Sequence, residues 1–64
     1  MIKLKKGDIV IIKGNETEIY FYTGLFDKMK FDNIPCVFLA TDLKNKNTFS
    51  RFSQQKLKEN GYII

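Results

Sequence analysis

Hydrophobic residues concentrate in four short runs, separated by polar segments that favour turns. The runs are rich in Val, Ile, Tyr, Phe and Thr and too short for ordinary helices, so they predict β-strands. The breaks between them contain Gly14-Asn15 and the polar segment 42–47, both typical of turns. The four predicted strands are DIVIIK (8–13), TEIYFYTGL (17–25), IPCVFLAT (34–41) and TFSRF (48–52).

The pattern changes after the fourth run. Ser53 can cap a short helix over QQKLKEN (54–60), because its hydroxyl can accept an N–H of the first turn. Asn60-Gly61 would end that helix, since glycine tolerates the left-handed conformation. Leu57 is the one apolar residue of the segment, so we expect only one or two turns, of the 3₁₀ type. YII (62–64) predicts a last short strand.

Five short strands in 64 residues favour one all-β domain over residues 1–64. A meander of this size hides most of its edges by curling into a partly open barrel. The prediction is therefore a five-stranded, partly open barrel with one short 3₁₀ turn before the last strand.

The first strand carries a family resemblance. KKGDIVIIKG (5–14) resembles the opening of SH3-like barrels of the KOW type, in which a lysine-Gly-Asp turn leads into an alternating apolar strand that ends in glycine. The helical turn before a final strand is similar too. NETE (15–18) replaces the second glycine-rich turn of a KOW element. The resemblance implies an SH3-like fold, which hosts RNA, DNA, peptide and protein binding alike.

Several predicted strands are apolar on both faces. Side chains alternate across a strand, so Val10 and Ile12 share one face while Ile9 and Ile11 share the other. A small barrel has one interior, which leaves a second apolar face to be covered. Two alternatives follow: the connecting loop 26–33 folds over it through Phe26, Met29 and Phe31, or a second chain does.

Composition excludes several classes of function. The chain is 44% hydrophobic, too apolar for a disordered segment, and contains no long apolar run that predicts a membrane span or signal peptide. Cys36 is the single cysteine and histidine is absent, so neither an internal disulfide nor a zinc site of the usual ligands is expected. We expect no enzyme, no metal and no cofactor, and a cytoplasmic location. The abundance of Lys, Ile and Asn is typical of an AT-rich bacterial or phage genome.

The net charge of +4 permits contact with nucleic acid or an acidic protein. Aromatic faces stack on unpaired bases and basic groups hold phosphates, so an aromatic-basic surface would be the candidate binding site. Its predicted residues are Tyr20, Tyr22, Phe49 and Arg51. A second candidate is a phosphate-facing basic cluster of Lys44, Lys46, Arg51, Lys56 and Lys58, which requires the 42–47 turn and the helix to lie at one end of the barrel. Alternatively, these residues have no binding role: the tyrosines pack across strands with their hydroxyls in water, and the lysines are ordinary solvated side chains.

The sequence thus predicts a small intracellular binding module that acts through protein–protein contact, as an adaptor or inhibitor encoded by a phage or mobile element. Its partner would be another protein or a second copy of the chain. The alternative is a nucleic-acid-binding barrel that uses the aromatic-basic surface. Neither a membrane nor a small-molecule substrate is expected.

Overall fold

The chain folds into a curled antiparallel sheet with one short helix. A computed structural model describes residues 3–28 and 33–63. The elements are β1 (Ile9–Ile12), β2 (Tyr20–Asp27), β3 (Cys36–Ala40), a 3₁₀ turn (Lys46–Thr48), β4 (Phe49–Ser53), α1 (Gln54–Asn60) and β5 (Gly61–Ile63). Four antiparallel strands form a half-barrel, which confirms the mostly β prediction. The short segment β5 pairs with β1, so the order across the sheet is β4-β3-β2-β1-β5.

The segment before β5 corrects the predicted 3₁₀ turn. Residues Gln54–Asn60 form an α-helix, and the 3₁₀ turn lies instead at Lys46–Thr48, before β4. Ser53 caps the helix as expected, with its hydroxyl accepting the Lys56 N–H at 3.1 Å. Both ends of the helix are anchored to strands of the sheet or to residues beside them. The Gln54 N–H donates to the Pro35 carbonyl at 2.9 Å, and the Asn60 carbonyl accepts the Lys13 N–H at 2.6 Å.

Gly61 ends α1 for a different reason from the one predicted. Its backbone is extended, with φ −99° and ψ 151°, so no left-handed conformation is involved. A Cβ at Gly61 would lie 2.8 Å from the Leu57 carbonyl oxygen. The position therefore requires glycine because the chain passes too close to the helix for any side chain.

The predicted alternation of faces is confirmed by the strand register. Tyr22 lies opposite Leu39, and Val37 lies opposite Phe52, so these residues share the inner face of the curl. Leu57 of α1 covers this face and is 1% exposed. The core cluster consists of Val10, Ile12, Val37, Leu39 and Leu57, with Leu4, Tyr20, Tyr22 and Phe52 packed against it.

The outer face of the sheet carries a second apolar row across four strands. Ile9 lies opposite Phe21, Phe21 opposite Ala40, and Ala40 opposite Phe49. Ala40 is fully buried in this row, and the other three are half-buried.

The prediction that a loop beginning at Phe26 covers this outer face is wrong about where the loop begins. Phe26 belongs to β2 rather than to a loop, and it lies opposite Val37 on the inner face. It therefore cannot cover the outer row. Met29 and Phe31, the other two residues proposed as a cover, lie outside the described residues.

Candidate functional site

The register separates the predicted aromatic-basic surface into two halves. Tyr20 and Tyr22 lie on the inner face and are half-buried against the core. Phe49 and Arg51 lie on the outer face, opposite Ala40 and Phe38. Four residues on two sides of one sheet cannot form a single stacking platform.

On the outer face, Arg51 is paired with an acidic residue of the same chain. One guanidinium nitrogen of Arg51 lies 4.0 Å from a carboxylate oxygen of Asp27, with both side chains partly buried. Arg51 is thus paired within the chain, and the outer face it occupies carries compensated charge.

The predicted lysines also lie at two ends of β4. Lys44 and Lys46 are exposed in the connection between β3 and β4, at the Phe49 end. Lys56 and Lys58 are exposed on α1, which begins at the opposite end of the strand. At about 3.3 Å per residue, a five-residue strand separates the two pairs by well over 10 Å. The structure does not bring these four into one patch.

One smaller cluster does form around Phe52. The Tyr20 and Phe52 rings meet edge to face, with centroids 5.1 Å apart, and the Lys56 ammonium lies 5.6 Å from the Phe52 ring centroid. Phe52 is half-buried and packed against the core. The contact between Lys56 and Phe52 helps to hold α1 against β4. Because Phe52 is already packed against the core, little of its ring is left to stack on a base.

A groove lies on the inner, open side of the half-barrel. It has a volume of about 440 Å³. Its floor is apolar, since Val37 and Leu57 are 4% and 1% exposed. Its lining residues are Lys3, Leu4, Lys5, Tyr22, Phe26, Val37, Gln54 and Leu57.

The lysine-Gly-Asp turn positions the N-terminal side of this groove. The Asp8 N–H donates to the Lys5 carbonyl at 2.9 Å, and Gly7 at the third position has φ +92°, as a type II turn requires. The Asp8 carboxylate accepts the Lys5 N–H at 2.8 Å. Tyr22 then fixes the turn to β2, because its carbonyl accepts the Gly7 N–H and its N–H donates to the Asp8 carbonyl, each at 2.9 Å.

A bulge in β2 positions the aromatic side of the groove. Tyr22 pairs with Leu39 and Phe26 with Val37, so four steps along β2 match two steps along β3. The excess of two residues keeps Tyr22 and Phe26 on the same face. Gly24, at φ +84°, makes the bend that this excess requires.

Thr23 fills the interior of the bulge. Its side chain is 7% exposed, and its hydroxyl donates to the Phe38 carbonyl at 2.8 Å. The same oxygen accepts the Leu25 N–H at 3.2 Å. A single hydroxyl therefore satisfies two backbone groups that the bulge would otherwise leave unpaired.

Phe26 is the most exposed large apolar side chain of the groove. Half of its surface, 50%, is open to solvent, although it stands beside two core residues. Gln54 also lines a second depression of about 760 Å³ with Ile34 and Pro35. The two depressions share Gln54 and no other lining residue.

The charge of the groove is positive. Lys3 and Lys5 are exposed at its rim, and its described lining contains no carboxylate. Asp27, the nearest acid along β2, faces the outer side of the sheet towards Arg51. Within the described part of the chain, neither Lys3 nor Lys5 forms an ion pair.

The groove was missed at the sequence level because it depends on long-range pairing. Phe26 falls in the predicted loop 26–33, because that segment has no clean period of two. The available signal was Gly24 inside an apolar strand, which is typical of a bulge and of a face that continues past it.

No family model, curated protein or solved structure matches this chain. The described residues contain no helix long and apolar enough to cross a membrane. They also contain no group of three or more Cys, Asp or Glu placed to hold a metal ion. The interpretation of the groove therefore depends on its own geometry.

Proposed function

We propose that this chain is a protein-binding module with an SH3-like fold, which holds a short segment of another protein in the groove beside Phe26. The strand order β4-β3-β2-β1-β5, with a helical segment between the two edge strands, supports the SH3-like assignment. The fold alone does not determine a function. The binding proposal depends on the groove.

The observation that carries the proposal is the exposure of Phe26 above a buried floor. A side chain that is 50% exposed next to Val37 and Leu57 leaves apolar area that a ligand can remove from water. Small sites with apolar walls and few polar groups are typical of ligand recognition. An extended peptide can contact both depressions, because they share Gln54.

Selection from a random peptide library displayed on phage tests the proposal. Peptides that bind should do so with roughly micromolar affinity. Phe26→Ser should weaken them about four- to tenfold, since full burial of a phenylalanine contributes about 1.5–3 kcal/mol and half of Phe26 remains to be covered. Circular dichroism establishes that the variant is folded.

Ile19→Ser is the matched control. Ile19 is 51% exposed, as Phe26 is, but does not line the groove. Its replacement removes similar apolar area and should leave peptide affinity unchanged. Peptides that lose affinity equally in both variants would refute the groove as the site.

Sedimentation velocity tests whether the partner is a second copy of this chain or a different protein. Concentration-dependent association that Phe26→Ser abolishes would assign the groove to self-association. A wild-type chain that sediments as a monomer while binding selected peptides supports a distinct protein partner.

A further inference from the structure

From the charge of the groove we infer that its ligand is an acidic segment with an apolar anchor: one or more apolar side chains enter beside Phe26, and flanking carboxylates meet Lys3 and Lys5. This inference rests on the proposed function and specifies its partner. The apolar floor of the groove would bind the apolar side chains of the ligand, and the lysines at its rim would bind the carboxylates.

The positions of the lysines carry the argument. Lys3 and Lys5 flank Leu4, which packs against the core, and both lysines are exposed at the edge of the groove. The turn bonds described above hold Lys5 at the rim. Both lysines therefore line the groove, and the turn holds the backbone of Lys5 beside its apolar floor.

Within the described residues, no acid near the rim forms an ion pair with either lysine. Asp8 is engaged with the Lys5 backbone N–H, and Asp27 faces Arg51 on the other side of the sheet. Glu59 lies on α1 and accepts the Gln55 amide at 3.1 Å. A carboxylate brought by a ligand would thus meet two lysines without a competing acid in the described lining of the groove itself, since Glu59 lines only the second depression, together with Lys58.

Three amidated nonapeptides provide the probes. Each has a central Leu-Phe-Leu and is flanked on both sides by three Glu, three Gln or three Lys residues. Fluorescence anisotropy at about 50 mM and about 300 mM NaCl measures binding, because ionic contacts weaken as salt shortens the Debye length. We expect the Glu-flanked peptide to bind about tenfold tighter than the Gln-flanked one at low salt, and the Lys-flanked one to bind weakest.

Two double variants locate the effect. Lys3→Gln with Lys5→Gln should reduce the Glu-flanked peptide to the affinity of the Gln-flanked one. Lys44→Gln with Lys46→Gln makes the same change of charge, also two residues apart, at the far end of β4, and should preserve the preference. An equal loss in both variants would show that net charge alone attracts the peptide, and would overturn the inference.

The outcomes separate this inference from the proposed function. If all three peptides bind alike and Phe26→Ser weakens all of them, the groove binds peptides but does not select acidic ones. If none binds at about 1 mM, or Phe26→Ser changes nothing, both proposals fail. A twelve-nucleotide oligothymidylate that binds more tightly than the Glu-flanked peptide, and loses affinity in the Lys3/Lys5 variant, would replace the peptide with a nucleic acid.

Discussion

The hydroxyl of Thr23 donates a hydrogen bond of 2.8 Å to the carbonyl of Phe38, across the bulge that brings Phe26 to the groove. Thr23→Val removes the hydroxyl and leaves the Phe38 carbonyl and the Leu25 N–H without it. We expect a loss of about 1–3 kcal/mol in the free energy of unfolding, measured by urea titration. Thr23→Ser retains the hydroxyl and should lose less. A valine variant as stable as the serine variant would contradict this role.

Gly61→Ala should destabilise the chain although the backbone there is extended. An alanine at φ −99° would ordinarily stabilise by about 0.4–1 kcal/mol, by restricting the unfolded chain. Here the new Cβ would lie 2.8 Å from the Leu57 carbonyl oxygen, so the sign reverses to a loss of about 1–3 kcal/mol.

Gly14→Ala is the comparison for the glycine experiment. Gly14 has φ +92° and open space around the position of a Cβ. Its replacement reports only the backbone strain, about 1 kcal/mol. Urea unfolding of both variants compares the two costs, and a neutral Gly61→Ala would show that α1 and β5 can separate freely.

Ser53→Ala should loosen the start of α1. The alanine variant loses the side-chain oxygen that accepts the Lys56 N–H, at a cost of about 0.5–2 kcal/mol. Ser53→Asp keeps an acceptor and places a negative charge at the helix N-terminus, so it should preserve stability. Hydrogen exchange at the Lys56 amide measures the effect directly. Equal protection in the alanine and aspartate variants would mean that the cap does not hold the helix.

Leu57→Ala should bring the domain to the limit of its stability. Leu57 is 1% exposed in the core cluster, and truncation of such a leucine costs about 2–5 kcal/mol. A domain of 64 residues has only about 3–10 kcal/mol in total. Lys58→Ala, on the exposed side of the same helix, should change stability by less than about 0.5 kcal/mol. Thermal unfolding followed by circular dichroism compares the two, and similar melting temperatures would exclude Leu57 as the link between α1 and the sheet.

The local parts of the fold could be predicted from the sequence. Val10 and Ile12 alternate with Ile9 and Ile11, so a period of two places the two pairs on opposite faces of β1. Ser53 marks the start of α1 because capping needs only the residues next to it.

The parts that depend on distant residues could not be predicted in the same way. Pairing determines that Tyr22 and Phe49 fall on opposite faces, and each strand alone leaves that choice open. Predicting the groove also requires the register between β2 and β3, because the two extra residues of β2 can be recognised only when the two strands are aligned. The candidate surface drawn from residue types alone therefore joined groups that the sheet keeps apart.

The position of β1 between β2 and β5 has a consequence for assembly. Val10 pairs with Ile63, so this strand pair closes a loop of about fifty residues, and closing so long a loop is slow. Until Gly61–Ile63 docks, one edge of β1 offers unpaired N–H and C=O groups that can template the same segment of a neighbouring molecule. At high concentration during refolding, strand exchange between molecules will compete with closure of the single chain, and dilution will favour the monomeric product.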